Sequence, residues 1–152
     1  MAIDIGRAYP SGPSGSSSPR WVCWRHSLQG SVVVNVEGSV SGSPLRGGFG
    51  GCIRSFDGNW IASFYGSKSD TDILLLELLG IFHGLSMAWD LGHRVVECQS
   101  NSLHVVELVL ATPSVRHMYA SLIWDINDLM DRPWRVWSLS ICFVKETRVQ
   151  IS

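Results

Sequence analysis

DTDILLLELLGIFHGLSMAWDLG, residues 70–92, decides how this chain folds. Leu74, Leu78, Ile81, Leu85 and Ala88 recur in it at steps of three and four, which predicts one apolar helix face over Thr71–Leu91. Asp70 or Thr71 is available as its N-cap and Gly92 as its stop. Glu77 lies among the leucines of that face. An ionised carboxylate there is costly to bury unless a cation pairs with it, and a metal ion is one such cation. The alternative is that Glu77 turns to the helix edge and meets water or an arginine.

Upstream of this helix the pattern is that of strands. Val32 to Val36 is a β-branched run followed by Glu37-Gly38-Ser39 and a Gly/Ser/Pro-rich stretch up to Gly48, which reads as a strand and then a long turn. Phe49 to Phe56 and Trp60 to Ser67 are strand-like. Asp57-Gly58-Asn59 between them supplies the positive φ angles of a tight hairpin, so the two are expected to pair antiparallel. Downstream, Val95 to Gln99 is a short strand, and Ser100-Asn101-Ser102 offers N-cap chemistry to a helix over about Leu103 to Ala111 that Pro113 closes. Tyr119 to Met130 repeats a helical pattern through Leu122, Ile123, Ile126 and Leu129, and Trp134-x-Val136 opens a last strand. This order predicts an α/β domain with a mixed sheet covered by helices.

The 152 residues suit one domain, and 45% hydrophobic against 16% charged residues give enough apolar material for one core. Pro10 to Pro19, PSGPSGSSSP, cannot bury apolar surface, so residues 1–20 read as a flexible lead-in and 21–152 as the domain. A net charge of -1 argues against a nucleic-acid binder driven by bulk positive charge, and Arg46, Arg54 and Lys68 are scattered rather than striped. Cys23, Cys52, Cys98 and Cys142 form no Cys-x-x-Cys pair, the five histidines show no ligand spacing, and no apolar run approaches the ~20 residues of a membrane helix. A reduced, intracellular protein without signal peptide or transmembrane segment is expected, with cytoplasm and nucleus both open.

Glu37, Glu77 and Asn101 stand at the ends or in the middle of these elements. Around them, Trp24, Ser27, Gly30, Val33, Asn35 and Glu37-Gly38-Ser39, then GFGGCIRSFDGNWI, LLLELLGIFHGLSMAWDLG and VECQSNS, together resemble the ribonuclease H type 1 domain. The likeness is to the form found in plant retroelement-derived, reverse-transcriptase-associated proteins, and it covers about Trp24 to Asp131. It implies a ribonuclease H-like fold, with a mixed central sheet of three antiparallel plus two parallel strands flanked by helices. It also implies an RNA–DNA hybrid as partner and Mg2+ or Mn2+ as cofactor, since in that family four carboxylates hold two ions that activate water for attack on an RNA phosphate. Carried onto matching positions, Glu37 and Glu77 are metal ligands and Asn101 is a third catalytic position; in the alternative of a binding module, the Gly38-Ser39 backbone, Asn59 and Ser102 contact the hybrid backbone without cutting it.

Several positions depart from the family. Glu37 replaces an Asp with a side chain one methylene longer, Asn101 replaces a second Asp with a neutral amide, and Gln99 stands where Glu is usual. The family ends its last strand with His, two apolar residues, Arg-Glu-Gly-Asn-x-x-Ala-Asp, none of which appears in SICFVKETRVQIS, residues 140–152. Read from the third base of each codon, however, the codons allowed for Ser140 to Ile151 permit that motif in order and at its spacing. A frameshift or misplaced exon boundary between about Val136 and Ser140 is therefore expected, removing the fourth carboxylate, the His loop and the C-terminal helix. Two carboxylates and an amide in place of four carboxylates imply weak divalent binding and catalysis impaired or lost. The alternatives are a non-catalytic nucleic-acid-binding or protein-interaction module, or an inactive relic. Trp60, Trp89 and Trp124 are expected in the core, and Trp134 and Trp137, near the missing helix, partly exposed.

Overall fold

Strand β2 (Val32–Ser41) alternates buried Val32, Val34 and Val36 with half-buried Val33 and Asn35 and exposed Glu37, so its two faces differ in chemistry. The computed structural model describes residues 3–5, 29–111 and 116–141. β2 pairs antiparallel with β3 (Arg46–Ser55) from Val32↔Ser55 to Ser41↔Arg46, and β3 pairs antiparallel with β4 (Trp60–Ser69). Gly58 in the connecting turn has a φ of +90°, the conformation a tight hairpin requires. Pairing runs further than composition suggests. Backbone hydrogen bonds need no side chains, so Gly47 and Gly48 join the ladder, and Glu37-Gly38-Ser39 lies within β2 rather than in a turn.

On the other side of β2, β5 (Val95–Ser100) runs parallel to it, β6 (Val136–Ile141) parallel to β5, and β1 (Ile3–Ile5) parallel to β6. The sheet order is β1-β6-β5-β2-β3-β4. The three antiparallel and two parallel strands predicted are therefore present, and β1 adds an edge strand from within the segment read as a lead-in. Trp24, Ser27, Pro10–Pro19 and the residues beyond Ile141, on which the expected frame shift and loss of the C-terminal helix fall, lie outside the described residues.

α1 (Ile73–Asp90) begins later than predicted because Asp72, not Asp70 or Thr71, caps it, accepting from the Leu75 N–H at 2.9 Å. α2 (Leu103–Leu110) is capped by Ser102, and α3 (Ala120–Met130) packs on α1 and α2. A single apolar cluster joins Val34, Ile53 and Cys98 of the sheet to Ile81 of α1, Val106 of α2 and Ile123 of α3. By length and composition α1 also matches a membrane-crossing helix, 18 residues of mean hydropathy 1.4, contrary to the sequence expectation, yet Leu76, Leu78, Ile81, Leu85 and Ala88 are buried in this core.

Trp60, Trp124, Trp134 and Trp137 reverse the expectation. Trp134 and Trp137 are buried in the apolar cluster, with α2 packed on β6; the Trp134 indole donates to the Leu129 carbonyl at 2.8 Å and meets Trp89 edge-on at 4.9 Å. Trp60 and Trp124 are exposed, one on edge strand β4 and one on the outer side of α3. Trp89 is half-buried beneath the Arg94 guanidinium, 3.6 Å from its ring.

Candidate active site

Parallel pairing of β2 with β5 builds the site. The register Val36↔Ser100 brings the residues that follow, Glu37 and Gly38 on one side and Asn101 and Ser102 on the other, to one end of the sheet. α1 lies against that end with Glu77 in its second turn. A Cβ on Gly38 would stand 2.9 Å from Leu76 Cβ and 3.2 Å from the Glu77 backbone nitrogen, so the helix approaches the strand this closely only because residue 38 is glycine.

That approach settles how Glu77 is accommodated. Glu77 is 3% exposed, and its carboxylate accepts from the Gly38 N–H at 2.9 Å through Oε1 and from the Ser100 hydroxyl at 3.3 Å through Oε2. Ser100, fully buried, in turn accepts from the Ser102 N–H at 3.1 Å. Neither the edge position nor an arginine applies: two neutral donors meet a buried carboxylate, and no cation pairs with it among the described residues. Burial pushes the Glu77 carboxyl above the usual carboxylate range, the Gly38 and Ser100 hydrogen bonds offset part of that rise, and the nearby Glu37 charge adds to it.

Two predictions follow from this arrangement. Gly38→Ala is expected to cost about 1–3 kcal/mol by forcing β2 and α1 apart, and urea unfolding measures it. Glu77→Gln is expected to stabilise. The folded protein holds the Glu77 proton more tightly than the unfolded chain, so this contribution is complete below the ordinary glutamate value and is lost as pH rises through the raised folded value. The variant should exceed the parent at neutral pH by about 0.5–2 kcal/mol, with the gap closing as acid protonates Glu77. Thermal melts across that range check it, and a variant less stable at neutral pH contradicts it.

Gly38, Glu77, Asn101, Ser102 and His104 line one cleft of about 400 Å³. Glu37 faces an adjoining cavity of about 490 Å³ with Asn35, Cys52 and Tyr65, although its charge reaches Glu77. Ser39 is exposed on β2 opposite Gly48. Asn59 stands in the β3–β4 turn, beyond the Val32↔Ser55 pair and so at the far end of the sheet, with its amide on Asp57. The Gln99 amide donates to Glu97 at 2.9 Å, where a carboxylate at 99 would set two negative charges in contact. The sequence reading assigns no site role to Ser100 or His104. In the sequence Ser100 reads as part of an N-cap run, and only the docking of α1 makes it a partner of Glu77, whereas the place of His104 in the first turn after the Ser102 cap is a usable signal.

Among the described residues no three His, Cys, Asp or Glu side chains come together to hold a metal ion. Both Glu77 oxygens already accept hydrogen bonds, Asn101 brings no charge, and Glu37 faces a separate cavity. These residues do not fit a pair of divalent ions, which needs several convergent carboxylates.

The sequence profile of the reverse transcriptase-like family matches residues 35–150. An Arabidopsis thaliana protein that carries the name of a ribonuclease H protein is 26% identical over 139 residues, covering 89% of this chain but only 22% of that relative's length. Among solved structures, the N-terminal RNase H domain of a Mycobacterium tuberculosis protein is similar with a TM-score of 0.66 and 21% identity, covering 76% of this chain and 88% of the other. LC11-RNase H1, solved in complex with an RNA/DNA hybrid, is similar with a TM-score of 0.62 and 18% identity, covering 72% of this chain and 83% of the other.

Proposed function

Because the chain belongs to the reverse transcriptase-like family and is a ribonuclease H-like domain, we propose that it engages RNA–DNA hybrids through the cleft around Glu77 with its cleavage chemistry impaired or lost. The observation that carries this reading is the pairing at the cleft floor. Glu77 keeps its buried place between Gly38 and Ser100, while Asn101 beside it supplies an amide where the family supplies a carboxylate. The scaffold of the site is retained and its charge is reduced.

In the family, divalent ions supply activated water and stabilise charge at the scissile phosphate. Of the carboxylate positions the family supplies, Glu77 and Glu37 remain among the described residues to attract such an ion, and Mg2+ or Mn2+ is held weakly. No hydrolytic step follows from the residues present. What they can do is bind: the Asn101 amide and the Ser102 hydroxyl at the cleft offer donors to phosphate or sugar oxygens, and the backbone at Gly38 and Ser39 tracks a strand by shape and 2′-hydroxyls. The hybrid bound by LC11-RNase H1 supports this choice of ligand.

The test combines binding and cleavage of a labelled RNA–DNA hybrid by the purified chain with Mg2+ or Mn2+. Salt-sensitive binding with little cleavage is expected. Brisk cation-dependent cleavage that Glu77→Gln abolishes would overturn the loss of chemistry. Absence of both binding and cleavage would overturn the hybrid-binding reading and leave a protein-interaction module or a relic.

A further inference from the structure

A bulge in β4 decides what the outer face of the antiparallel strands presents. The β3–β4 register slips between Ile53↔Ala62 and Arg54↔Trp60, so Ile61 is an extra residue, and Ile61 and Ala62 both pack against the core. Without the bulge Trp60 would share the inward side of Ala62 and Phe64. With it, Trp60 turns to the side of Ser63 and Tyr65, and its indole N–H donates to Ser63 Oγ at 2.7 Å. The one donor of the ring is thereby satisfied, and its face is what it offers a ligand. Trp60 is 66% exposed and Tyr65 93%. Their partners Arg54 and Gly50 are four positions apart on β3, which sets the two rings about 13 Å apart along the strand.

The surface around the rings is polar and low. Ser63 and its partner Cys52 lie between them, where an apolar protein partner would need aliphatic side chains. Gly50, opposite Tyr65, and Gly48, opposite Ser67, carry no side chain, so a ligand can reach the β3 backbone where the cavity of about 490 Å³ opens beside Tyr65. Arginines stand on this face at both ends of β3, Arg54 opposite Trp60 and Arg46 opposite Ser69, and Glu37 is the one carboxylate that β2, β3 and β4 direct to it. Arg46 is exposed and has no hydrogen-bond or ion-pair partner among the described residues. The local charge is therefore positive although the whole chain carries a net charge of -1. Rings that present their faces, an accessible backbone and a local positive charge are the parts from which single-strand binding surfaces are built.

We propose that this face binds single-stranded nucleic acid, with two bases stacked on Trp60 and Tyr65 and a phosphate at Arg46. Pairing hides base faces inside a duplex, so the surface selects unpaired nucleotides. Glu37 repels phosphate from the β2 side of Gly50 and leaves the β4 side to the strand. The proposal stands apart from the hybrid-binding reading and uses none of the residues that line the Glu77 cleft.

The experiment titrates the full chain with a labelled oligothymidylate, followed by fluorescence polarisation. Saturable binding is expected, weakened at least about tenfold by Trp60→Ala and by Tyr65→Ala, about tenfold corresponding to loss of one stacked base. Tyr65→Phe keeps the ring and is expected to retain the affinity, as is Trp124→Ala, which removes an equally accessible kind of ring from α3. An abasic strand of the same length keeps the phosphates without the bases and is expected to bind at least as weakly as the alanine variants. Arg46→Gln is expected to flatten the salt dependence. A blunt RNA–DNA hybrid titrated in parallel reads the Glu77 cleft separately, and the ring variants are expected to leave its binding unchanged. Trp60 and Tyr65 are exposed, so unchanged circular dichroism spectra are expected to confirm folding. No saturation, equal affinity for the abasic strand, undiminished binding by both alanine variants, equal weakening by Trp124→Ala, or an unchanged salt dependence in Arg46→Gln overturns the proposal.

Discussion

A chain carrying Glu37→Asp and Asn101→Asp, with residues 140–151 replaced by the family motif His-x-x-Arg-Glu-Gly-Asn-x-x-Ala-Asp, is expected to cleave an RNA–DNA hybrid with Mg2+ at least roughly 1,000-fold faster than the parent. The physical ground is charge and reach. Asn101 already lines the cleft with Glu77, so an Asp there places a second carboxylate where only a dipole now stands. An Asp at 37 withdraws the first ligand by one methylene, and the installed motif supplies a histidine and a further carboxylate. Each change alone should do little, because two ions need the whole donor set and such groups act as a unit. Initial cleavage rates, with Mn2+ affinity measured alongside, decide the matter. A parent chain as fast as the restored one refutes the charge argument, and a restored chain that folds but stays inert refutes the installed motif.

Trp137→Ala is expected to remove about 3–5 kcal/mol of stability, a large part of the roughly 5–15 kcal/mol a domain of this kind has. Trp137 is among the largest fully buried side chains, 2% exposed on β6, opposite Val96 of β5 and beneath α2. No neighbour can refill so large a void. Trp60→Ala, in contrast, removes a ring that is 66% exposed on the edge strand and is expected to shift stability by no more than about 0.5 kcal/mol. Urea unfolding of the two variants reads both numbers, and similar losses would contradict the burial difference.

These two tryptophans also show where local patterns stop being informative. Trp60 sits in a segment with every mark of a strand, and the strand is real, but whether a strand is central or at an edge depends on pairing between distant segments. Trp137 reads as partly exposed from the sequence, because the reading there expects no C-terminal helix to cover it. In the structure α2, formed by Leu103–Leu110, covers it instead. The Asp72 cap illustrates a smaller limit, since Asp70, Thr71 and Asp72 all suit an N-cap and only the docked helix selects among them.

Element type and order were legible because they rest on periods of two and 3.6 residues, which are properties of neighbours in the chain. The placement of Glu77 on an apolar helix face was legible for the same reason, and so was its need for a partner. The partners themselves were not, because Gly38 lies 39 residues away and Ser100 lies 23 residues away, and they meet Glu77 only once β2 and β5 are in register and α1 has closed on them. Sequence determined that a buried carboxylate needed stabilising, since that follows from local burial, and tertiary structure decided that two neutral donors rather than a cation would do it, since hydrogen bonding acts through space and not along the chain.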